Sequence, residues 1–379
     1  MNRFFRKIHL WLSVPLGLII SIICLSGAAL VFENEVTESL NPSLYRVERP
    51  EKGNPLKPSE IAQKVCMQMS DTIEITSIQL SADPERTCMV SIKGAGKRTL
   101  SVNPYTGEVN GWTESPPFFQ TMRKLHRWLM DSPAKKGEKS TGKVVVGVTT
   151  LLMVVILITG LIIWIPRNRK ALKNRLSLNC RKGIRRLLYD SHVSLGFYST
   201  IFLLLMALTG LTWSFGWYRN MTYRLFGASV SSKTSLSNGN RSSEGEEGKK
   251  KQRTFEYTVW NKVISQLHSK YPEYASIRLE TKQAQVSLPG NIRRTDTIKF
   301  NPKSGEITGL VSHNQTPKSK KMKGWIYVLH TGSWGGTITK IIYFLAALIG
   351  GILPISGYYL WWKRTSRKRK NAAPRTAGK

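Results

Sequence analysis

Four long apolar runs constrain this chain of 379 residues more than any other feature. They cover residues 10–32, 144–165, 193–215 and 341–362. Each run has about the ~20 residues with which a helix crosses ~30 Å of hydrocarbon. Because backbone polar groups in lipid must find partners within the segment, the runs are predicted to be helices. The pattern indicates an α-helical membrane protein with four spans and excludes a string of soluble domains.

The positive charge is concentrated between and after these runs. The formal net charge is +34, and residues 167–186 carry nine Lys or Arg without an acidic residue. The tail from residue 363 carries eight more, and three precede His9, whereas residues 33–142 are nearly balanced, with fifteen basic and fourteen acidic residues. Short basic loops stay in the cytoplasm. The distribution therefore predicts cytoplasmic termini and contact with membrane lipid, and it argues against nucleic acid as a partner.

These two patterns divide the chain into nine predicted segments. In order they are a cytoplasmic N-terminus (1–8), the first span (9–32), a first periplasmic module (33–142), the second span (143–165), a basic cytoplasmic loop (166–190), the third span (191–215), a second periplasmic module (216–336) with a flexible insert (229–254), the fourth span (337–362) and a basic cytoplasmic tail (363–379). A cleaved signal peptide is the alternative for the first run, which is long for one and lacks an A-x-A site.

The two halves of the chain repeat each other. RTLSVNPYTGEVNGW in the first large segment matches DTIKFNPKSGEITGL in the second, and both read as a hairpin around a turn. His9 is followed after eighteen residues by Gly27, as His192 is by Gly210. The sequence therefore predicts two parallel repeats related by an axis along the membrane normal.

Each span also contains a glycine that follows Ser or Thr. These glycines are Gly27 (LSG), Gly160 (ITG), Gly210 (LTG) and Gly357 (ISG). Small residues let helices approach closely, and a flat cofactor between helices needs the same clearance. The motif therefore fits either helix packing or cofactor binding.

Four of the six histidines accompany the four spans. They are His9 and His192 at the predicted cytoplasmic ends, and His126 and His330 at the predicted periplasmic ends. Paired imidazoles beside small residues are what a six-coordinate haem in a helical bundle requires. The histidines are therefore predicted to be axial ligands of haem iron, one pair on each side of the membrane. Interfacial histidines without a ligand are the alternative.

The spacing restricts how His126 and His330 can reach the membrane. His126 lies 34 residues before Gly160, and His330 lies 27 residues before Gly357. Both separations are too long for one straight span, so each histidine is expected on a segment that folds back toward the membrane.

Cys66 and Cys88 share the first large segment, and whether they form a disulfide stays open.

In combination, RKIHLWLSVPLGLIISIICLSG, VNPYTGEVNGW, LHRWL, LITGLIIW and LHTGSWGG…LPISGYYLWWKR resemble the PepSY-associated transmembrane family. The resemblance covers nearly the whole chain apart from the insert. It implies a bacterial inner-membrane protein with four spans and PepSY-type α+β modules outside. It also implies b-type haem, expected at two per chain, and reduction of ferric siderophores. Some larger relatives carry a reductase-like C-terminal part, and no Rossmann fingerprint follows the fourth span here, so a separate electron donor is expected.

The expected function is therefore electron transfer across the membrane, with an oxidoreductase acting on ferric siderophores or other Fe(III) chelates. The alternative is a peptide-binding or protease-regulating membrane protein, because PepSY modules also occur as inhibitory units. A chelate transporter is a third possibility, but it would need polar residues along the spans beyond Ser and Thr. Bound haem distinguishes the first two.

Overall fold

The computed structural model describes residues 2–51, 53–70, 73–133, 138, 140–178, 181, 183–228, 255–290 and 294–372. The predicted insert at 229–254, Cys180 and the end of the basic tail lie outside these ranges. The described chain divides into two units. One comprises residues 1–33, 116–226 and 323–379, and the other comprises residues 34–115 and 227–322. They are called the helical unit and the α/β unit.

The helices, in chain order, are α1 (Asn2–Val31), α2 (Glu33–Leu40), α3 (Pro42–Tyr45), α4 (Pro58–Met69), α5 (Pro117–Trp128), α6 (Thr141–Trp164), α7 (Arg169–Leu176), α8 (Ile184–Ser214), α9 (Gly216–Leu225), α10 (Val259–Lys270), α11 (Lys318–Thr331) and α12 (Gly336–Ala372). Within the described ranges, α1, α6, α8 and α12 are long and apolar enough to cross a membrane. Each covers one of the four predicted runs to within one residue. Both α1 and α8 begin several residues before the predicted spans, so His9 and His192 lie inside helices.

The four long helices of the helical unit form a bundle. α1 packs against α6 and α12, and α8 packs against the same two helices. The contact of His9 with Gly160 and that of Tyr358 with Val14 show that α6 and α12 run opposite to α1. The chain thus enters and leaves the bundle at the same end, as an even number of spans requires.

The centre of the bundle is apolar. Ile20 and Cys24 of α1, Met153 and Ile156 of α6, and Leu203 of α8 form one buried cluster. Gly350 of α12 has the Leu203 side chain and the Cys24 sulfur beside it, at distances that leave no room for a larger residue. Small residues here let α12 approach α1 and α8, which is the packing expected of helices in lipid.

The strands of the α/β unit, in chain order, are β1 (Ile75–Ser81), β2 (Cys88–Ile92), β3 (Thr99–Val102), β4 (Val109–Thr113), β5 (Ser276–Glu280), β6 (Gln283–Ser287), β7 (Thr295–Phe300) and β8 (Ile307–Val311). They form one antiparallel sheet in the order β4-β3-β2-β1-β5-β6-β7-β8. The two large segments were predicted as separate modules, whereas the pairing of β1 with β5 joins them into one sheet. One core includes Ile78 and Val90 from the first segment, and Trp260 and Ile298 from the second.

The predicted hairpins are confirmed at both ends of this sheet. In the β3–β4 turn, the Asn103 amide donates to the Glu108 carbonyl, and the Gly107 amide donates to the Asn103 carbonyl. Asn301, Glu306 and Gly305 repeat both bonds in the β7–β8 turn, all four at 2.9 Å. Gly107 and Gly305 have φ values of +75° and +74°, which glycine adopts without strain.

The question of a disulfide in the first segment is answered by the structure. Cys66 and Cys88 are not joined to each other by a disulfide. Cys88 is buried in the sheet, where its thiol donates to the carbonyl of Val102 at 3.4 Å. Burial raises the pKa of the Cys88 thiol to about 12, so this side chain stays protonated and acts as part of the core.

Candidate functional site

The four histidines lie in the helical unit on four different helices. His9 is on α1 and His192 on α8, both long helices of the bundle. His126 is on α5 and His330 on α11, two short helices that precede α6 and α12. The Nδ1 atom of His126 lies 2.8 Å from the carbonyl oxygen of Ile23 on α1, so α5 folds back onto the bundle as the spacing requires. We call His9 and His192 the first pair, and His126 and His330 the second pair.

Each imidazole lies against a glycine of a neighbouring helix. A Cβ atom added to the glycine would come within 2.8 Å of His126 Cε1 at Gly27, 3.2 Å of His9 Cε1 at Gly160, 3.2 Å of His330 Cε1 at Gly210 and 3.5 Å of His192 Cε1 at Gly357. The predicted glycines therefore give room to the imidazoles themselves. Their positions assign His9 and His192 to one end of the bundle, and His126 and His330 to the other.

Backbone carbonyls next to these glycines bond to the imidazoles. The acceptor is four residues before the glycine in three cases: Ile156 for His9 at 3.1 Å, Ile23 for His126 at 2.8 Å and Met206 for His330 at 3.0 Å. A carbonyl oxygen only accepts, so Nδ1 carries the proton in these three histidines. Their Nε2 atoms then keep a free lone pair, which is the electronic form in which imidazole ligates a metal.

At three of the four sites, the hydroxyl group of the residue before the glycine lies within hydrogen-bonding distance of the imidazole. Ser356 Oγ lies 2.9 Å from His192 Nδ1, Thr209 Oγ1 lies 3.1 Å from His330 Nδ1, and Thr159 Oγ1 lies 3.3 Å from His9 Nδ1. At the fourth site, Ser26 donates to the carbonyls of Ile22 and Ile23. The sequence showed the Ser/Thr–Gly motif, but only its glycine had been assigned a role.

The two members of each pair lie near each other. The ring centres of His126 and His330 are 6.1 Å apart. Two imidazoles bound to one iron through nitrogens about 2 Å from the metal hold their ring centres about 6 Å apart. His9 and His192 lie at the other end of the bundle, against Gly160 and Gly357. The separation within the second pair therefore fits a site in which both imidazoles would hold one haem iron.

Burial keeps the second pair in the neutral form. Burial lowers the pKa of His126 below its usual value, and it lowers the pKa of His330, beside the His126 ring, to about 4. At neutral pH both rings are then uncharged, as an axial ligand must be. Arg127 lies next to His126 in the chain and places its guanidinium over the Trp128 ring, 4.4 Å from the centroid.

Aromatic side chains follow two of the glycines, and one of them contacts a histidine. Trp213, one turn after Gly210, meets the His330 ring edge to face, with centroids 5.0 Å apart. Trp164, one turn after Gly160, stacks on Phe197 with centroids 3.7 Å apart. Sequence reasoning missed Trp213 as a neighbour of a histidine, although its three-residue spacing from Gly210 on one helix was a usable signal.

The other two histidines belong to the α/β unit. His268 stacks on Tyr274 with ring centroids 5.4 Å apart, and the backbone amide of His313 donates to Asp296 at 2.7 Å. Within the described ranges, no group of three or more His, Cys, Asp and Glu side chains could hold a bare metal ion. Haem iron needs only two ligands from the protein, because the porphyrin supplies the other four.

The comparison with known families agrees with the architecture. The family described as the PepSY-associated TM region matches residues 6–364, which include most of each of the four long helices and the whole eight-stranded sheet. No curated protein matches the chain.

Proposed function

Since this chain belongs to the PepSY-associated transmembrane family and is an integral membrane protein, we propose that it binds two b-type haems and carries single electrons to Fe(III) chelates. One observation carries the proposal. Four histidines on four helices are each placed against a glycine and hydrogen-bonded at Nδ1, two at each end of the bundle. A set of unrelated interfacial histidines has no reason to share this arrangement.

The residues of the helical unit do the holding and orienting. Haem, when bound, supplies a one-electron iron couple at each pair. The glycines let the Cε1 side of each imidazole approach a neighbouring helix closely, and the Nδ1 bonds stop the ring from turning. Both constraints come from a helix other than the one that carries the histidine, so folding of the bundle itself forms the two sites.

The helical unit also separates the two pairs. His9 and Gly27 are eighteen residues apart on α1, which is about 27 Å of helix and nearly the thickness of the hydrocarbon. Between these levels lie Ile20, Cys24 and Leu203, all buried and apolar. This layer excludes water, so electrons would cross without an accompanying path for ions.

The charge distribution supports one orientation. The basic 166–190 loop and both basic termini would lie in the cytoplasm, and the two α/β segments in the periplasm of a bacterial inner membrane. The first pair would then receive electrons from a separate donor, and the second pair would face the chelate. The inside-negative potential favours outward electron movement by ~2.3 kcal/mol per 100 mV.

The substrate class follows from the segment that would face it. Residues 216–336 carry twenty Lys or Arg and eight acidic residues, which attracts anionic ferric siderophores. Chelates of this kind bind Fe(II) far more weakly than Fe(III), so reduction would release the metal. The matching hairpins around Asn103 and Asn301 support the further proposal that the two halves are PepSY-like repeats.

The function is tested in sealed lipid vesicles. The protein is reconstituted with a low-potential reductant trapped inside, and a ferric siderophore and a dye specific for Fe(II) are added outside. We expect the dye to colour with wild-type protein. Protein-free vesicles and vesicles with His126→Ala, which leaves the first pair intact, should stay colourless. A haem-loaded wild type that is no faster than protein-free vesicles would refute chelate reduction.

A further inference from the structure

We propose that Thr159, Thr209 and Ser356 are positioning residues whose hydroxyl oxygens accept the Nδ1 proton of a histidine and so set how strongly that histidine donates to iron. Ser26, at the corresponding place in the fourth motif, does not have this role. The inference rests on the proposed function, because it assigns a task to residues of the same sites.

The direction of the hydrogen bonds supports this role. The Ser356 hydroxyl donates to the Leu353 carbonyl at 2.8 Å, and the Thr209 hydroxyl donates to the Leu205 carbonyl at 2.6 Å. The Thr159 hydroxyl likewise donates to carbonyls of its own helix at 2.9 Å. Each hydroxyl proton is thus already used, and the oxygen can only accept from the imidazole. A hydroxyl that donates onward becomes a better acceptor.

Burial strengthens these hydrogen bonds. Thr159, Thr209 and Ser356 are 4%, 8% and 6% exposed, so no water competes for the imidazole proton. In a low-dielectric interior such a bond is electrostatically stronger than it is at a surface. An acceptor on the distal nitrogen raises the basicity of the ligating nitrogen, and mutation of such partners changes metal affinity or activity by about 10–100-fold.

The second pair contains the natural comparison. His330 has two acceptors, the Met206 carbonyl and the Thr209 hydroxyl, at 3.0 and 3.1 Å. His126 has the Ile23 carbonyl at 2.8 Å, and Ser26 donates to that same carbonyl at 3.1 Å. The Thr209 hydroxyl likewise donates to the Met206 carbonyl at 3.0 Å, but of these two hydroxyls only that of Thr209 also lies within hydrogen-bonding distance of its histidine, so only Thr209 adds a second acceptor. Removing the hydroxyl of Thr209 or of Ser26 should have unequal effects on the same haem.

The test compares Thr209→Val, which keeps the side-chain shape, with Ser26→Ala. The reduction potentials of the bound haems are measured by spectroelectrochemical titration, and the haem content is measured alongside. We expect Thr209→Val to favour the reduced form of the second-pair haem about tenfold, a shift of about 59 mV for one electron. Ser26→Ala and the rescue variant Thr209→Ser should stay within about twofold of wild type, and the first-pair haem should not change.

Each outcome decides the inference. Loss of the second-pair haem in Thr209→Val, with recovery in Thr209→Ser, also supports it, because only the hydroxyl is then restored. Equal potentials in Thr209→Val and Ser26→Ala, with two haems bound, would overturn the inference and leave the proposed function standing. A wild-type protein that binds no haem would overturn both.

Discussion

The two histidine pairs are built on different kinds of helix. In the first pair, His9 and His192 lie on α1 and α8, which form the bundle itself. In the second pair, His126 and His330 lie on short helices that reach the bundle through tight turns. In both pairs, each imidazole lies against a glycine of a neighbouring helix and is hydrogen-bonded at Nδ1. The comparison teaches that helix packing fixes the first pair, whereas turn geometry must also be right for the second.

The turn between α5 and α6 shows this dependence. Leu129 and Met130 have φ values of +49° and +71°, a region that residues other than glycine seldom adopt. Asp131 holds the turn, because its carboxylate accepts from the Gly142 amide at 2.8 Å and its carbonyl accepts from the Ser140 hydroxyl at 2.6 Å. The position of His126 is thus fixed from α6 as well as from α1.

The largest expected effect is loss of one whole haem when either member of a pair is replaced. His9→Ala and His192→Ala should each remove the same spectral component, since one iron loses its ligand from either side. His126→Ala and His330→Ala should each remove the other component. Low-temperature optical and electron paramagnetic resonance spectra of the four variants distinguish the components. Two members of one pair that removed different components would break the pairing.

Gly142→Ala should separate the pairs without touching a ligand. A Cβ at this position would overlap the backbone carbonyl of Trp128, so the end of α5 must move and His126 must move with it. We expect the second-pair haem to be lost and the first-pair haem to remain, as measured by haem content and spectrum. Gly324→Ala is the matched control, because nothing lies within 4 Å of its added Cβ. If Gly142→Ala retained both haems, the turn would not control the second pair.

Alanine at the four glycine positions should weaken haem retention to a degree that follows the distance between the added Cβ and the imidazole. An added Cβ comes within 2.8 Å of the imidazole at Gly27 but 3.5 Å at Gly357, which is an ordinary contact distance. Gly27→Ala should therefore weaken haem retention in the second pair, and Gly357→Ala should leave the first pair nearly unchanged. Gly160→Ala and Gly210→Ala, both at 3.2 Å, should fall between them. Titration of haem into the purified apoproteins gives the order, and a reversed order would contradict the contacts.

The smallest expected effect concerns Trp213. Its edge-to-face contact with His330 helps to fix the plane of that ring, and such pairs contribute about 0.5–1.5 kcal/mol. Trp213→Leu should keep both haems but alter the electron paramagnetic resonance signal of the second pair, since the ligand plane can relax. Trp164→Leu, which removes a stack on Phe197, should leave that signal unchanged. An unaltered signal in Trp213→Leu would remove this residue from the site.

Much of the site could be predicted from the sequence because its key residues recur at equal spacing. His9 with Gly27 and His192 with Gly210 repeat across the two halves. Hydropathy gave the four helices, and the Asn-Pro turns gave the hairpins. The acceptors at Ile23, Ile156 and Met206 could not be predicted, because a backbone carbonyl leaves no mark on the sequence and only the packing of two helices exposes it to a histidine.

The pairing of β1 with β5 also could not be predicted from the sequence. The two strands belong to segments that were predicted as separate modules, and the unpaired edge of a strand does not specify its partner. The register that sets Ile78 opposite Leu279 depends on the whole fold of the α/β unit. The helices α1 and α8 also begin before the predicted spans, because the polar residues before His9 and His192 continue each helix beyond its apolar run.

The visible spectrum of the purified protein, before and after dithionite, tests the central claim most directly. We expect a b-type spectrum whose α-band sharpens on reduction, with about two haems per chain and an axial bis-histidine signature. A protein that stays colourless after expression with added haem would contradict the account. The four histidines would then be structural, and a peptide-binding role for the α/β unit would take precedence.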